Sequence, residues 1–158
     1  LMKTIDLKNR VIEPVLRDAH VYSEAAVNLL LGTAAQESHM GKYFKQIKGP
    51  AVGIFQMEPA THDDIWENFL AYQGGKTHTR ILNNVGVPYH PTADVLYWNL
   101  RYAALMCRMH YYRKPQKLPE ADDIEGLGAK LIEQFVEEDR LQNPSDIFCL
   151  TKDELAER

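Results

Sequence analysis

With 158 residues, 45% of them hydrophobic and 25% charged, the chain has the composition of an ordinary globular domain and the length to bury roughly 70% of its unfolded surface. Nothing in it calls for a second unit, so residues 1–158 are expected as a single domain. A net charge of −4 removes the electrostatic case for nucleic acid, and no apolar run is long enough for stable membrane insertion.

In chain order, residues 6–19 place Leu7, Val11, Ile12, Val15 and Leu16 at helical spacing, and Pro14 among them predicts a kink or a shifted start. Ser23 is positioned to cap a central helix over residues 24–37, with Glu24 complementing the dipole in its first turn. This helix is apolar through Val27, Leu29, Leu30, Leu31, Ala34 and Ala35, then closes on one carboxylate, Glu37. Leu30, Ala34 and Glu37 fall at i, i+4 and i+7, so one face is expected to turn to the core with the carboxyl at its edge. A carboxyl there is desolvated, which favours its protonated form. Gly32 inside the helix predicts a close helix crossing.

Residues 38–53 read as a loop with solvated Lys42, Lys45 and Lys48, ending in the turn Lys48-Gly49-Pro50-Ala51-Val52-Gly53. The string Ile54-Phe55-Gln56-Met57-Glu58-Pro59 follows. A helix is expected from Thr61, where Thr61-x-x-Asp64 reads as a capping box and Ile65, Phe69 and Tyr72 form the buried stripe. Gly74-Gly75 breaks the chain before a short helix over 78–85 and a loop through Val87-Pro88-Tyr89-His90-Pro91. The longest helix is expected over 92–113, between Pro91 and Pro115. Its stripe of Leu96, Leu100, Ala103 and Cys107 makes Cys107 a buried free thiol rather than a partner of Cys149. A further helix spans 122–138 with Ile124, Leu127, Leu131 and Phe135 on one side; Pro144 ends the connection after it, and Thr151-x-x-Glu154 caps a final turn. No repeat and no sustained alternation appears, so the fold is expected to be mainly α.

Gln36-Glu37-Ser38-His39-Met40-Gly41, followed by Gly53-Ile54-Phe55-Gln56-Met57-Glu58-Pro59-Ala60-Thr61, resembles the lysozyme-like superfamily. Its nearest members are the soluble lytic transglycosylases and goose-type lysozymes, and the sequence resembles those of bacteriophage cell-wall lysins. The likeness covers about residues 24–66. It implies a lysozyme-like helical domain with a substrate cleft, acting on peptidoglycan glycan strands at the β-1,4 bond between N-acetylmuramic acid and N-acetylglucosamine. Such an enzyme needs no cofactor and no metal, and a monomer is expected.

In that frame Glu37 is the general acid/base that protonates the bridging oxygen. Gln56 would hydrogen-bond sugar amide or hydroxyl groups, Ser38 lie beside the acid and help hold it or the substrate, or equally bond a free carbonyl at the helix end, Gly53 let the backbone approach substrate, and Phe55 line a subsite or pack in the core. Transglycosylases carry an apolar residue before the motif proline, whereas this chain has Glu58, as goose-type enzymes have an acid nearby. Glu58 is therefore a candidate for positioning water, or else a first-turn acid complementing the next helix. Asp63 and Asp64 read as capping and surface residues. The transglycosylase string Ala-Tyr-Asn-Ala-Gly is missing; Tyr102, Tyr111 or Tyr112 could replace its tyrosine, with Tyr111 preferred among them, although packing is the more common use of any of the three.

The N-terminal residues lack the apolar segment of a secretory signal. The expectation is synthesis in the host cytoplasm, with action on peptidoglycan in the periplasm or cell wall after release at lysis or delivery in the virion. Cys107-x-x-His110 alone makes no zinc site, and no phosphate-binding glycine pattern or serine nucleophile motif occurs. The competing reading is a catalytically inactive lysozyme-like module that binds the wall or builds a phage particle.

Overall fold

The computed structural model describes residues 2–46, 49–74, 82–87 and 91–135. The chain opens with one helical rod, α1, composed of an α turn Thr4–Asp6, a π-helical stretch Leu7–Ile12 and an α segment Glu13–Asp18. Pro14 explains the π stretch. Proline has no N–H for the carbonyl four residues back, which here belongs to Arg10. The rod widens, the Glu13 N–H donates to Lys8 O, and Arg101 fills the vacancy by donating Nε and Nη2 to Arg10 O at 3.3 and 3.1 Å. The five expected apolar residues of this rod are all buried.

Helix α2, Glu24–Ser38, begins where Ser23 Oγ accepts the Ala26 N–H at 3.0 Å. Every residue from Ala26 to Ala35 is buried. A helix apolar around its whole circumference must be enclosed on all sides, so the expectation of one core-facing stripe is corrected: α2 is the centre of the domain. Thr33 and Asn28 are the polar residues admitted, and each is bonded: Thr33 Oγ1 to Leu29 O at 2.7 Å, and Asn28 Nδ2 to Ala121 O at 2.9 Å. The helix stops in a left-handed run, His39 (φ 50°), Met40 (φ 59°) and Gly41 (φ 88°), with the Met40 N–H returning to Ala34 O at 3.0 Å.

Helix α3, Pro59–Asn68, starts ahead of the expected Thr61 cap. Proline at the first helical position loses nothing by lacking an N–H, and Glu58 takes the cap position without a side-chain bond. The core side of this helix is His62, Ile65 and Trp66, and after the change to a 3-10 turn at Leu70–Tyr72 it is continued by Leu70. Phe69 is only partly buried and Tyr72 is 81% exposed, which corrects the expected stripe.

The expected helix over 92–113 is two: α4, Val95–Trp98, and α5, Leu100–Tyr112. Asn99 separates them with an extended backbone, capping α5 by accepting the Tyr102 N–H at 3.0 Å and donating Nδ2 to Val85 O at 2.7 Å. Helix α6, Ile124–Phe135, buries Leu127 and Leu131 and packs along α2, which also touches α1 and α5. Cys107 is a buried free thiol. Among the described residues there is no strand, only the isolated bridges Lys45–Val52 and Val52–Met57, and no helix is long and apolar enough to cross a membrane. Residues 82–85 are helical, while the rest of the expected 78–85 helix, Lys48, Gly75, the Pro88–His90 loop, and residues 136–158 with Pro144, Cys149, Thr151 and Glu154 lie outside the described residues.

Candidate functional site

Glu37 stands one turn beyond Thr33 on α2, on the side facing α5. The residue is partly buried, and its Oε1 is shut off from solvent. Across from it, Tyr111 is 1% exposed and its hydroxyl lies 2.9 Å from Thr33 Oγ1. Burial above all pushes the Tyr111 phenol and the Cys107 thiol well above their usual pKa values, and the nearby Glu37 charge pushes both further up. Both groups therefore stay neutral beside the carboxyl. Tyr111 is thus near Glu37 but packed in the core with its hydroxyl on Thr33, Tyr102 belongs to a separate cluster, and Tyr112 is 51% exposed.

The segment after the left-handed stop is folded back on this end of α2. Val52 and Met57 exchange backbone bonds at 3.0 and 3.1 Å, closing a four-residue loop of Gly53, Ile54, Phe55 and Gln56. Ser38 joins that loop to the helix. Fully buried, its hydroxyl lies within bonding reach of Ala34 O and Ile54 O and accepts the Gly41 N–H at 2.9 Å. The Ser38 side chain is spent inside the protein, so it holds the acid's neighbourhood together instead of reaching a ligand. Gly53 is needed for packing: at φ 82°, a Cβ there would sit 2.5 Å from Leu96 O, so the close approach is to α4 and not to substrate. Phe55 is 2% exposed and belongs to the core, which takes it out of a subsite lining.

Gln56 is the strained member, in left-handed backbone at φ 49°, a conformation costing a non-glycine residue roughly 1–2 kcal/mol. Its Nε2 donates to Gly53 O at 2.8 Å and Tyr43 O at 3.2 Å. With the amide nitrogen fixed in this way, Oε1 is the end that remains to accept from a ligand. Glu58 is exposed at the start of α3. Glu37, Ser38, Gly53, Phe55, Gln56 and Tyr111 are thus gathered around the C-terminal end of α2, with Glu58 at the edge of the same loop.

Two features escaped sequence reasoning. Beside Gln56, the exposed Tyr43 ring meets His39 edge-on at 5.6 Å and has Lys42 Nζ 5.3 Å from its centroid, an accessible aromatic surface next to the acid. The only signal for it was an aromatic residue six positions after the acid. The second is a polar chain that runs from the exposed Asp63 into the core. Asp63 Oδ1 lies 2.9 Å from His62 Nδ1, His62 Nε2 lies 2.7 Å from the Tyr102 hydroxyl, and Trp66 Nε1 donates to that hydroxyl at 2.8 Å. One assignment satisfies every member: the Trp66 N–H donates to Tyr102, Tyr102 to His62 Nε2, and His62 Nδ1–H to Asp63. Asp64, on the next position, is held below its usual pKa by Arg113 at 2.6 Å and by Asn68. Neither aspartate acts as a helix cap. Among the described residues no group of histidine, cysteine or acid side chains is arranged to hold a metal.

No protein-family model matches the chain, and no solved structure matches it. A stretch of 37 residues, 23% of the chain, is 54% identical to a DNA ligase of Dichelobacter nodosus (strain VCS1703A) and corresponds to 6% of that protein. The chain thus spans a small fraction of this relative, too little to carry an assignment.

Proposed function

We propose that the chain is a peptidoglycan glycosidase of lysozyme-like fold that cleaves the β-1,4 bond between N-acetylmuramic acid and N-acetylglucosamine, with Glu37 as general acid/base, and that it serves as a bacteriophage endolysin or virion-associated lysin. The observation that carries this reading is the placement of Glu37. A carboxyl near the end of a helix buried from Ala26 to Ala35, with one oxygen out of solvent and Tyr111 and Cys107 kept neutral close by, has the kind of low-polarity surroundings that a glycosidase acid needs. The loop carrying Gln56 is fastened through Ser38 to the turn that carries Glu37, which supports reading the amide and the carboxyl as parts of one site.

Glu37 gives its proton to the bridging oxygen as charge develops on the sugar ring, then recovers one as base. If the base acts on the sugar's own C6 hydroxyl, an anhydro ring closes and one carboxylate suffices. If it acts on water, Glu58, exposed and free of a capping bond, is available to orient that water. Purified sacculi treated with wild type and with Glu37→Gln provide the test. Clearing by wild type and loss of about a hundredfold or more in the variant is the expected result. Equal clearing by both would reject Glu37 as the acid. No clearing by either would favour the inactive wall-binding or particle-building module. Anhydro-ended muropeptides identify the transglycosylase route and reducing ends the hydrolase; with reducing ends, Glu58→Gln should lower the rate severely.

A further inference from the structure

At the opposite end of α2 from Glu37, a cleft of about 730 Å³ opens between the helix N-terminus and the segment that leaves α5. Its wall contains Arg108, a cation only 7% exposed. Arg108 Nε donates to Val21 O at 2.9 Å and the guanidinium carbon lies 5.1 Å from the Tyr112 ring centroid, but no carboxylate among the described residues pairs with it. A desolvated cation faced by a carbonyl and a ring lacks the counter-charge that burial demands. The two Nη groups are left for something else, and a guanidinium fork matches two oxygens held in one plane.

The surroundings narrow the ligand. Lys114 and Lys117 are exposed on the rim, and the N-terminus of the fifteen-residue α2 adds a positive dipole end. Glu24 and Glu120 lie on the same walls, so three cations stand against two acids and the cleft favours one negative charge over two. Tyr112, Leu118 and two prolines supply apolar surface for the ligand's body.

We propose that this cleft binds a monocarboxylate carried on a small apolar or amide group, such as a peptide C-terminus, with Arg108 as its bidentate receptor. The site is separate from Glu37 and stands whether or not the chain cuts peptidoglycan. Titration of the whole ¹⁵N-labelled chain with N-acetylalanine, with inorganic phosphate in parallel and ionic strength held by sodium chloride, tests it. Saturating shifts of the Glu24 and Ala25 amides and of Arg108 Nε are expected, with Kd on the order of 1 mM. Arg108→Lys keeps the charge but loses the fork and should weaken binding about tenfold or more. Should that variant not fold, Lys114→Ala with Lys117→Ala alters only exposed residues and should weaken binding several-fold. The proposal is overturned by the absence of saturation, by phosphate binding as tightly as the carboxylate, or by unchanged affinity in the variants that fold.

Discussion

Replacing Tyr102 by Phe isolates the energetics of the polar chain, because the ring stays and only the hydroxyl leaves. Tyr102 is fully buried, and its hydroxyl serves His62 on one side and the Trp66 indole on the other. Burial raises its pKa far above the usual range, so it remains a neutral donor at any working pH. Without it, Trp66 Nε1 loses this acceptor and His62 Nε2 its donor, in residues 8% and 0% exposed. Each lost bond at a buried group costs about 1–3 kcal/mol, and water reaching the Trp66 edge trims the sum, so the expected loss is about 2–4 kcal/mol. In a domain of this size that lowers Tm by roughly 5–15 °C. Urea unfolding followed by tryptophan fluorescence measures it directly, since Trp66 sits in the chain; the midpoint should fall with the slope unchanged. Tyr112→Phe, at a site 51% exposed, is the control and should stay within about 0.5 kcal/mol of wild type. A Tyr102→Phe loss no larger than that control's would mean the chain of bonds contributes nothing, and the argument from satisfied donors would be wrong.

Gly53→Ala and Gly86→Ala separate a clash from backbone strain: both sites have positive φ, but only at Gly53 would the Cβ meet backbone, Leu96 O at 2.5 Å. Thermal melts should show about 1 kcal/mol lost at Gly86 and at least about 2 kcal/mol at Gly53. Ser38→Ala leaves Ile54 O and the Gly41 N–H without their hydroxyl partner and should cost about 1–3 kcal/mol, together with reduced clearing of sacculi as the loop loosens. His110, buried first of all and further disfavoured as a cation by Arg113 and Lys114, titrates at about 4 instead of 6.5. The unfolded chain takes up a proton between those values that the folded chain refuses, so stability is full above pH 6.5 and falls as pH drops towards 4. The loss totals about 3 kcal/mol. Urea midpoints across that range should show the slope in wild type and lose most of it in His110→Gln.

How much of this was legible in sequence depended on how local each cause was. The Ser23 cap, the mostly apolar run and the closing Glu37 define α2 within sixteen residues, and the helix lies where they put it. The break at Asn99 was not legible, because apolar spacing continues across it from Leu96 to Ala103, and the bond that favours the break goes to Val85, fourteen residues away. The His62–Tyr102 pair spans forty residues. In the local text His62-Asp63-Asp64 looks like a charged helix start, and only the third dimension turns His62 inward. Tyr72 failed because the helix stops at Asn68 and a 3-10 turn follows, so the 3.6-residue spacing that would have put it on the Ile65 face does not reach it.

The motif that suggested chemistry turns out to divide its labour. Ser38, Gly53 and Phe55 face inward, tying a loop to a helix end, allowing that loop to touch α4, and anchoring it in the core. Gln56 spends its nitrogen on the loop and keeps its oxygen. A site that must keep a side chain within about 0.5 Å of its productive position needs such support more than it needs further contacts, and the packing around Gln56 and the His39–Met40 turn is what lets their strained backbone persist. The consequence is a split between kinds of damage. Losing the inward residues should lower stability and rate together, whereas losing Glu37 should abolish clearing and leave the fold standing, so that a Glu37→Gln protein melting with wild type is the partner measurement without which loss of activity would mean little.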